Sequence, residues 1–325
     1  MDLQQKTRRF GAWVIFCSLL LRLYALGAVD YVTHQLLQPN MAALLIYLET
    51  GRIVRFSVSP HTHEAESSAP WAPPEPLPTF RAEEAEEVAL YYSCDLRPDL
   101  EALMTEPLQW YLPLPQPTVL ILHSHATESY TLDGETYTES SPYRTLNEDY
   151  NMLSIGERVV EVLAQYGISA IHDRSLHDYP DYNSAYSNSR EAAQYYLNRY
   201  PTIQLILDLH RDALESDGKQ LRTAAQVEGV NAAQLMLVMG TNAGGLSHEA
   251  WEQNLSLGLK LHRQLERQTP GITRPMALRT QRFNQDLLSG ALLVEVGAAG
   301  NTLPEALLAA EQLGHAIGAL SRGTE

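Results

Sequence analysis

Pro117-Thr-Val-Leu-Ile-Leu-His-Ser-His-Ala-Thr-Glu-Ser-Tyr130 decides how the rest of the chain is read. Val119 to Leu122 is a short, unbroken apolar run, partly β-branched, behind a proline-rich lead-in. That pattern marks a buried strand. Where the run ends, the chain places His123, His125 and Glu128 close together. In an open α/β sheet, ligands gather at the carboxyl ends of the strands. Side chains alternate along an extended chain, so the spacing predicts His123 and His125 on the same side. Two imidazoles and a carboxylate suit a borderline metal such as zinc.

Two further stretches repeat the pattern. Ile203-Gln-Leu-Ile-Leu-Asp-Leu-His-Arg-Asp212 is an apolar run ending in His210, with Asp208 and Asp212 beside it. Ala291-Leu-Leu-Val-Glu-Val-Gly297 places Glu295 near the end of its run. A carboxylate in an apolar strand is seldom left unpaired, which makes Glu295 the more telling of the two. Three strands are thus expected to deliver His, His and Glu to one sheet edge.

The segments between them alternate. Helices are predicted over Asn151–Tyr166, Ser187–Tyr200, Glu249–Gln268 and Leu303–Leu320, on apolar positions at helical spacing. Gly167 closes the first helix, and Asn301 or Thr302 caps the last. Strands are predicted at Ile168–Ile171, Leu235–Met239 and Met276–Thr280, with an edge strand within Leu221–Val227. The order from Val119 onward is β, α, β, α, β, β, β, α, β, β, α, which implies an α/β fold. Its sheet is mostly parallel, with helices on both faces. Gly240-Thr-Asn-Ala-Gly-Gly245 has neither the Lys-Ser/Thr of a phosphate loop nor the Rossmann spacing.

The N-terminal third has a different character. Lys6, Arg8 and Arg9 precede an apolar segment from Phe10 to Val29, interrupted by Arg22. Its length suits a membrane-spanning signal-anchor with a cytoplasmic N-terminus and the bulk of the chain outside. Ala25-Leu-Gly-Ala28 leaves a cleaved signal peptide open. Between Ser59 and Glu87 the chain turns rich in Pro, Glu, Ser and Ala, the composition of a linker. Three parts are therefore expected: residues 1–30 as stub and anchor, 31–106 as juxtamembrane segment and linker, and 107–325 as the catalytic domain.

The formal net charge of −16 argues against nucleic acid as a partner, since phosphate binding draws on Lys/Arg clusters. Two cysteines, Cys17 and Cys94, allow no cysteine-rich metal site, so any metal draws on His, Asp and Glu. There is no Gly-x-Ser-x-Gly elbow, which removes a serine hydrolase. What remains is a mononuclear metal hydrolase that adds water to an amide. His125 and His210 are the leading ligands, since both end apolar strands. Glu128 is a candidate third ligand, with Asn147, Glu148 and Asp149 as alternatives. Glu295 is the candidate general base, and Asp208 or Asp212 would orient a ligand imidazole. His172, His177, His248, His262 and His315 read as structural or surface residues, and the tyrosines at 179, 182 and 186 as packing.

Ile121-Leu-His-Ser-His-Ala-Thr-Glu-Ser-Tyr130, Asp208-Leu-His-Arg-Asp-Ala213, Phe283-Asn-Gln-Asp286 and Leu293-Val-Glu-Val-Gly297 with Asn301-Thr302 resemble the stage II sporulation protein P family, in order. The resemblance spans about residues 115–320. It implies a phosphorylase/hydrolase-like amidase fold related to zinc-dependent N-acetylmuramoyl-L-alanine amidases. It also implies a peptidoglycan hydrolase of forespore engulfment that cuts the muramoyl–L-alanine amide and peptide cross-links. Its partners would be a lytic transglycosylase and a polytopic membrane protein at the cell membrane. On this resemblance His125 and His210 hold zinc, Glu295 is catalytic, His123 contributes from the same block, and the third ligand stays open between Glu128, Asn147 and Glu148. A membrane-anchored wall-binding scaffold with a degenerate amidase fold is the competing reading.

Overall fold

The computed structural model describes residues 79–108, 110–132, 139 and 141–322. The segment at 10–29 and the linker up to Pro78 lie outside them. Among the described residues no helix is long and apolar enough to cross a membrane.

A seven-stranded sheet organises this unit. Its strands are β1 (Leu90–Tyr92), β2 (Val119–Leu122), β3 (Ala170–His172), β4 (Leu205–Asp212), β9 (Leu235–Met239), β10 (Met276–Leu278) and β11 (Ala291–Ala298). They lie side by side in the order β1-β10-β9-β11-β4-β2-β3. Every pairing is parallel except β11 with β9. The fold is therefore α/β with a mostly parallel sheet, as the alternation predicts. β1 joins the sheet at its edge by pairing with β10. Phe80, Ala85 and Val88 are buried in the main core, so the folded unit takes in chain ahead of residue 107.

The helices are α1 (Leu100–Thr105), α2 (Met152–Gln165), α3 (Ala185–Arg199), α4 (Trp251–Gln268) and α5 (Leu303–Arg322). α2 begins where the Asn151 side chain accepts a hydrogen bond from Leu153 N, satisfying one of the orphan amides of a helix start. Its apolar stripe of Met152, Ile155, Val159 and Leu163 is buried in the main core. That core also holds Leu255, Leu259 and Leu265 of α4 and Leu313, Ala316 and Ile317 of α5. α3 covers the opposite face, where Ala193 packs with Leu120, Leu122, Ile206 and Ala291 in a smaller cluster.

Leu221–Val227 is not an edge strand of this sheet. The chain turns back at Glu228-Gly229, whose φ angles are 51° and 83°. β7 (Ala225–Val227) and β8 (Val230–Ala232) therefore form a hairpin of their own. Two successive positive φ values define the type I′ turn that suits a two-residue hairpin. Asp217-Gly218 does the same between β5 (Glu215–Ser216) and β6 (Lys219–Gln220).

Candidate active site at the carboxyl edge of the sheet

β4 and β11 are adjacent, and Glu295 is the register partner of His210. Beyond that pair the register shifts between Glu295 and Ala298. Gly297 sits in the irregularity with φ of 72°, a conformation other residues avoid. Such bulges re-aim side chains at a sheet end. Here one leaves Glu295 and His210 side by side at the last regular rung.

His125 arrives from the turn after β2. Its ring stands edge-on to His210, with centroids 5.4 Å apart and planes at 83°. Burial holds the His125 imidazole below its usual range, with the Glu128 carboxylate opposing that shift. Its Nδ1 is buried without a hydrogen-bond partner. His210 Nε2 lies 2.9 Å from Asp208 Oδ1 but out of line for a hydrogen bond. Burial disfavours the imidazolium of His210, but Asp208, Glu128 and Glu295 outweigh it and lift the ring to about 9. Glu295 moves the other way for a carboxyl. Burial pushes it up to about 8 against the pull of His210, and its Oε2 has no partner. Orphaned nitrogens on two rings and an orphaned carboxylate oxygen thus share one edge.

Other side chains hold these in place. Ser124 donates from N and Oγ to Asp208, at 2.8 Å and 2.6 Å, fixing the carboxylate beside His210. Glu128 lies 3.7 Å from His210 Nδ1. Its carboxylate also accepts from Arg211 N at 3.2 Å and Arg144 Nη2 at 3.3 Å. Asp178 accepts from Thr127 Oγ1 at 2.6 Å and Arg144 Nη1 at 2.7 Å. Arg144 therefore ties the turn that carries His125 to the loop that carries Asp178.

His123 does not share the edge with His125. β2 ends at Leu122 and the chain turns at once, so the alternation of an extended strand no longer applies. His123 is fully buried against α2, with Nδ1 3.0 Å from Leu209 O and Nε2 2.9 Å from His172 Nε2. Gly156 makes room for that pair, because a Cβ there would stand 2.4 Å from His172 Nε2. Asn147, Glu148 and Asp149 also stay apart. Glu148 pairs with Arg174 at 2.5 Å, and Asn147 Oδ1 accepts from Asp149 N at 3.1 Å.

Sequence reasoning missed Arg144, Asp178, Tyr182 and Tyr186. Tyr182 stacks on His125 at 4.5 Å and 12°. Tyr186 stacks on His210 at 6.3 Å and 16°, and stands edge-on to His125 at 5.5 Å. The signal was the spacing of the two tyrosines, four residues apart where a 3₁₀ turn at Tyr182–Ser184 leads into α3.

Among the described residues no three His, Cys, Asp or Glu side chains stand grouped to hold a metal ion. The donors fit zinc in kind: two imidazoles, one with an orphaned Nδ1 and one with an orphaned Nε2, and carboxylates beside them. The arrangement is an open edge, not a closed cage.

Residues 95–318 match the family described as Stage II sporulation protein P. A protein of that description from Bacillus subtilis (strain 168) is 28% identical over 200 residues, which are 58% of this chain and 47% of the relative. The chain thus spans about half that relative's length. Among solved structures, the N-acetylmuramoyl-L-alanine amidase AmiC2 of Nostoc punctiforme is similar at a TM-score of 0.37 and 11% identity, over 63% of this chain and 94% of that one. The CwlD amidase of Clostridioides difficile, solved with the GerS lipoprotein, gives 0.33 and 16%, over 63% and 95%.

Proposed function

The chain belongs to the stage II sporulation protein P family, and on that premise we propose that it is a metal-dependent peptidoglycan amidase of sporulation that also cuts peptide cross-links. The observation that carries this reading is the meeting of His125, His210 and Glu295 at one edge with orphaned polar atoms.

His125 and His210 would hold a zinc-class ion, with Glu128 as the adjacent carboxylate, and such an ion would polarise the carbonyl and acidify a water. Glu295 takes the proton of the attacking water and passes it to the leaving amine. It stands beside His210 at the last regular rung, where a carboxylate can both accept and return a proton. Asp208, fixed by Ser124, places its negative charge beside the His210 ring. The Arg144 guanidinium and the Arg211 backbone N–H hold the Glu128 carboxylate in place. Tyr182 and Tyr186 wall the two imidazoles and limit water around them.

Residues 10–29 act as the membrane anchor on this reading, and the Pro/Glu-rich stretch spaces an extracytoplasmic domain from the bilayer. The lytic transglycosylase and polytopic membrane protein implied by the family are its proposed partners. The scaffold reading draws on one feature, that Glu128 is engaged by arginines.

The test is peptidoglycan treated with the full chain, with and without chelator and restored zinc, the products identified by mass. Release of stem peptides that stops with chelator and returns with zinc is expected, together with cleavage of cross-linked dimers. Binding without any product would make the chain a scaffold. His210→Ala should lower release by more than about a hundredfold, since loss of a ligand exceeds the usual effect of losing a ligand's partner.

A further inference from the structure

Tyr186, whose ring stacks on His210, also lines a cavity of about 650 Å³. Arg190, Leu246, Arg282, Phe283 and Asn284 are among its other walls. Nothing in the hydrolytic chemistry above uses this space.

The cavity is built rather than left over. A Cβ at Gly240 would meet Gln281 O at 2.6 Å, and one at Gly244 would meet Thr280 O at 2.6 Å. The two loops therefore press together backbone against backbone, as only glycine permits. Phe283 and Asn284 both take left-handed backbone, with φ of 50° and 58°. Such strain is kept where surrounding contacts over-determine it, and it gathers at ligand clamps. The contacts are present: Asn284 Nδ2 donates to Tyr186 O at 2.8 Å, and Gln285 Oε1 accepts from Gly240 N at 2.8 Å.

Its charge points to a ligand. Arg190 and Arg282 are the charged side chains lining the cavity. Both lean on Asp286. Arg190 commits two nitrogens to it, at 2.9 Å and 2.7 Å. Arg282 reaches it through Nη1 at 3.2 Å and uses the same nitrogen on Ser247 O at 3.3 Å. One carboxylate faces two guanidinium groups, which leaves an excess positive charge in a chain of net charge −16. A planar guanidinium with donors to spare is the side chain suited to a carboxylate ligand.

The geometry points to a subsite in which Arg282 holds a carboxylate of the peptide stem while the amide to be cut lies against His210 and Glu295. This rests on the amidase reading and adds to it a preference for acidic over amidated stems. Arg190 and Asp286 position Arg282, and Tyr186 joins the subsite to the catalytic edge.

The test measures binding by calorimetry to the full chain in chelator, which stops turnover on that reading. The probes are an N-acetylmuramoyl tripeptide with its glutamate α-carboxyl free and the same compound as the α-carboxamide. The free acid should bind about tenfold more tightly, the value of one hydrogen bond to a charged group. Arg282→Gln should erase the preference, and Arg282→Lys, which keeps the charge, should retain part of it. Matching thermal melts for both variants exclude a folding defect. Equal affinity of the two probes, no binding of either, or a preference that survives Arg282→Gln overturns the subsite. Failure of the amidase reading looks different: the preference holds and Arg282→Gln removes it, yet zinc-loaded protein releases no stem peptide.

Discussion

The two faces of β4 and β11 are made by alternating residues of the same strands and have opposite character. Toward α2, α4 and α5 they present Leu205, Leu207, Leu209, Leu292, Val294 and Val296, all buried in one apolar core. Toward α3 the same strands begin apolar, with Ile206 and Ala291, then change to Asp208, His210 and Glu295 as they near their carboxyl ends. One face is satisfied by packing alone. The other leaves polar atoms without partners in a buried place, a state that costs stability and is kept where the atoms have work to do. Alternation along a strand lets a single segment serve both ends, so stability and chemistry can be altered separately.

The sharpest way to break this contrast is at Glu295. Glu295→Gln keeps shape and burial but removes the proton acceptor. Stem-peptide release is expected to fall about 10²- to 10⁴-fold while the unfolding midpoint stays near that of the parent. A variant that hydrolyses normally would take Glu295 out of the chemistry. On the packed face Leu207 is fully buried, and Leu207→Ala should cost about 2–5 kcal/mol in a urea titration. Its turnover per folded molecule should be unchanged. A loss of turnover without a loss of stability would show the faces to be coupled.

The smallest effect concerns pH within the packed layer. His262 on α4 is buried, and burial holds it down at about 4, with Glu266 pulling the other way. Its folded value lies below the ordinary 6.5, so the unfolded chain binds the extra proton first. The contribution is complete above pH 6.5 and is lost as pH falls toward 4, on the order of 1 kcal/mol after local relaxation. His262→Leu should flatten that limb of the stability curve measured by chemical unfolding. An unchanged limb would mean that His262 is charged in the folded protein.

Much of this was legible from residue order. β2 and β9 run from Val119 to Leu122 and from Leu235 to Met239, as their apolar runs predict. Short apolar runs bounded by polar residues leave little freedom in placement. His125, His210 and Glu295 were legible as ends of such runs. The hairpins at Asp217-Gly218 and Glu228-Gly229 were not, because Leu221–Val227 reads as one strand while only Ala225–Val227 is extended and pairs across the turn that follows it.

The sequence by itself determined the alternating elements, the parallel sheet they imply and the strand ends that bear His and Glu, since each depends on neighbours a few residues away. Tertiary structure alone decided that His123 turns inward to His172 while His125 turns to His210, because the chain leaves the extended state at the end of β2. It also decided that Arg144 and Asp178 brace the site from separate loops, and that Tyr182 and Tyr186 face imidazoles rather than packing elsewhere. Those contacts join residues distant along the chain, and their partners are chosen by how β4 and β11 lie side by side, which no local pattern encodes.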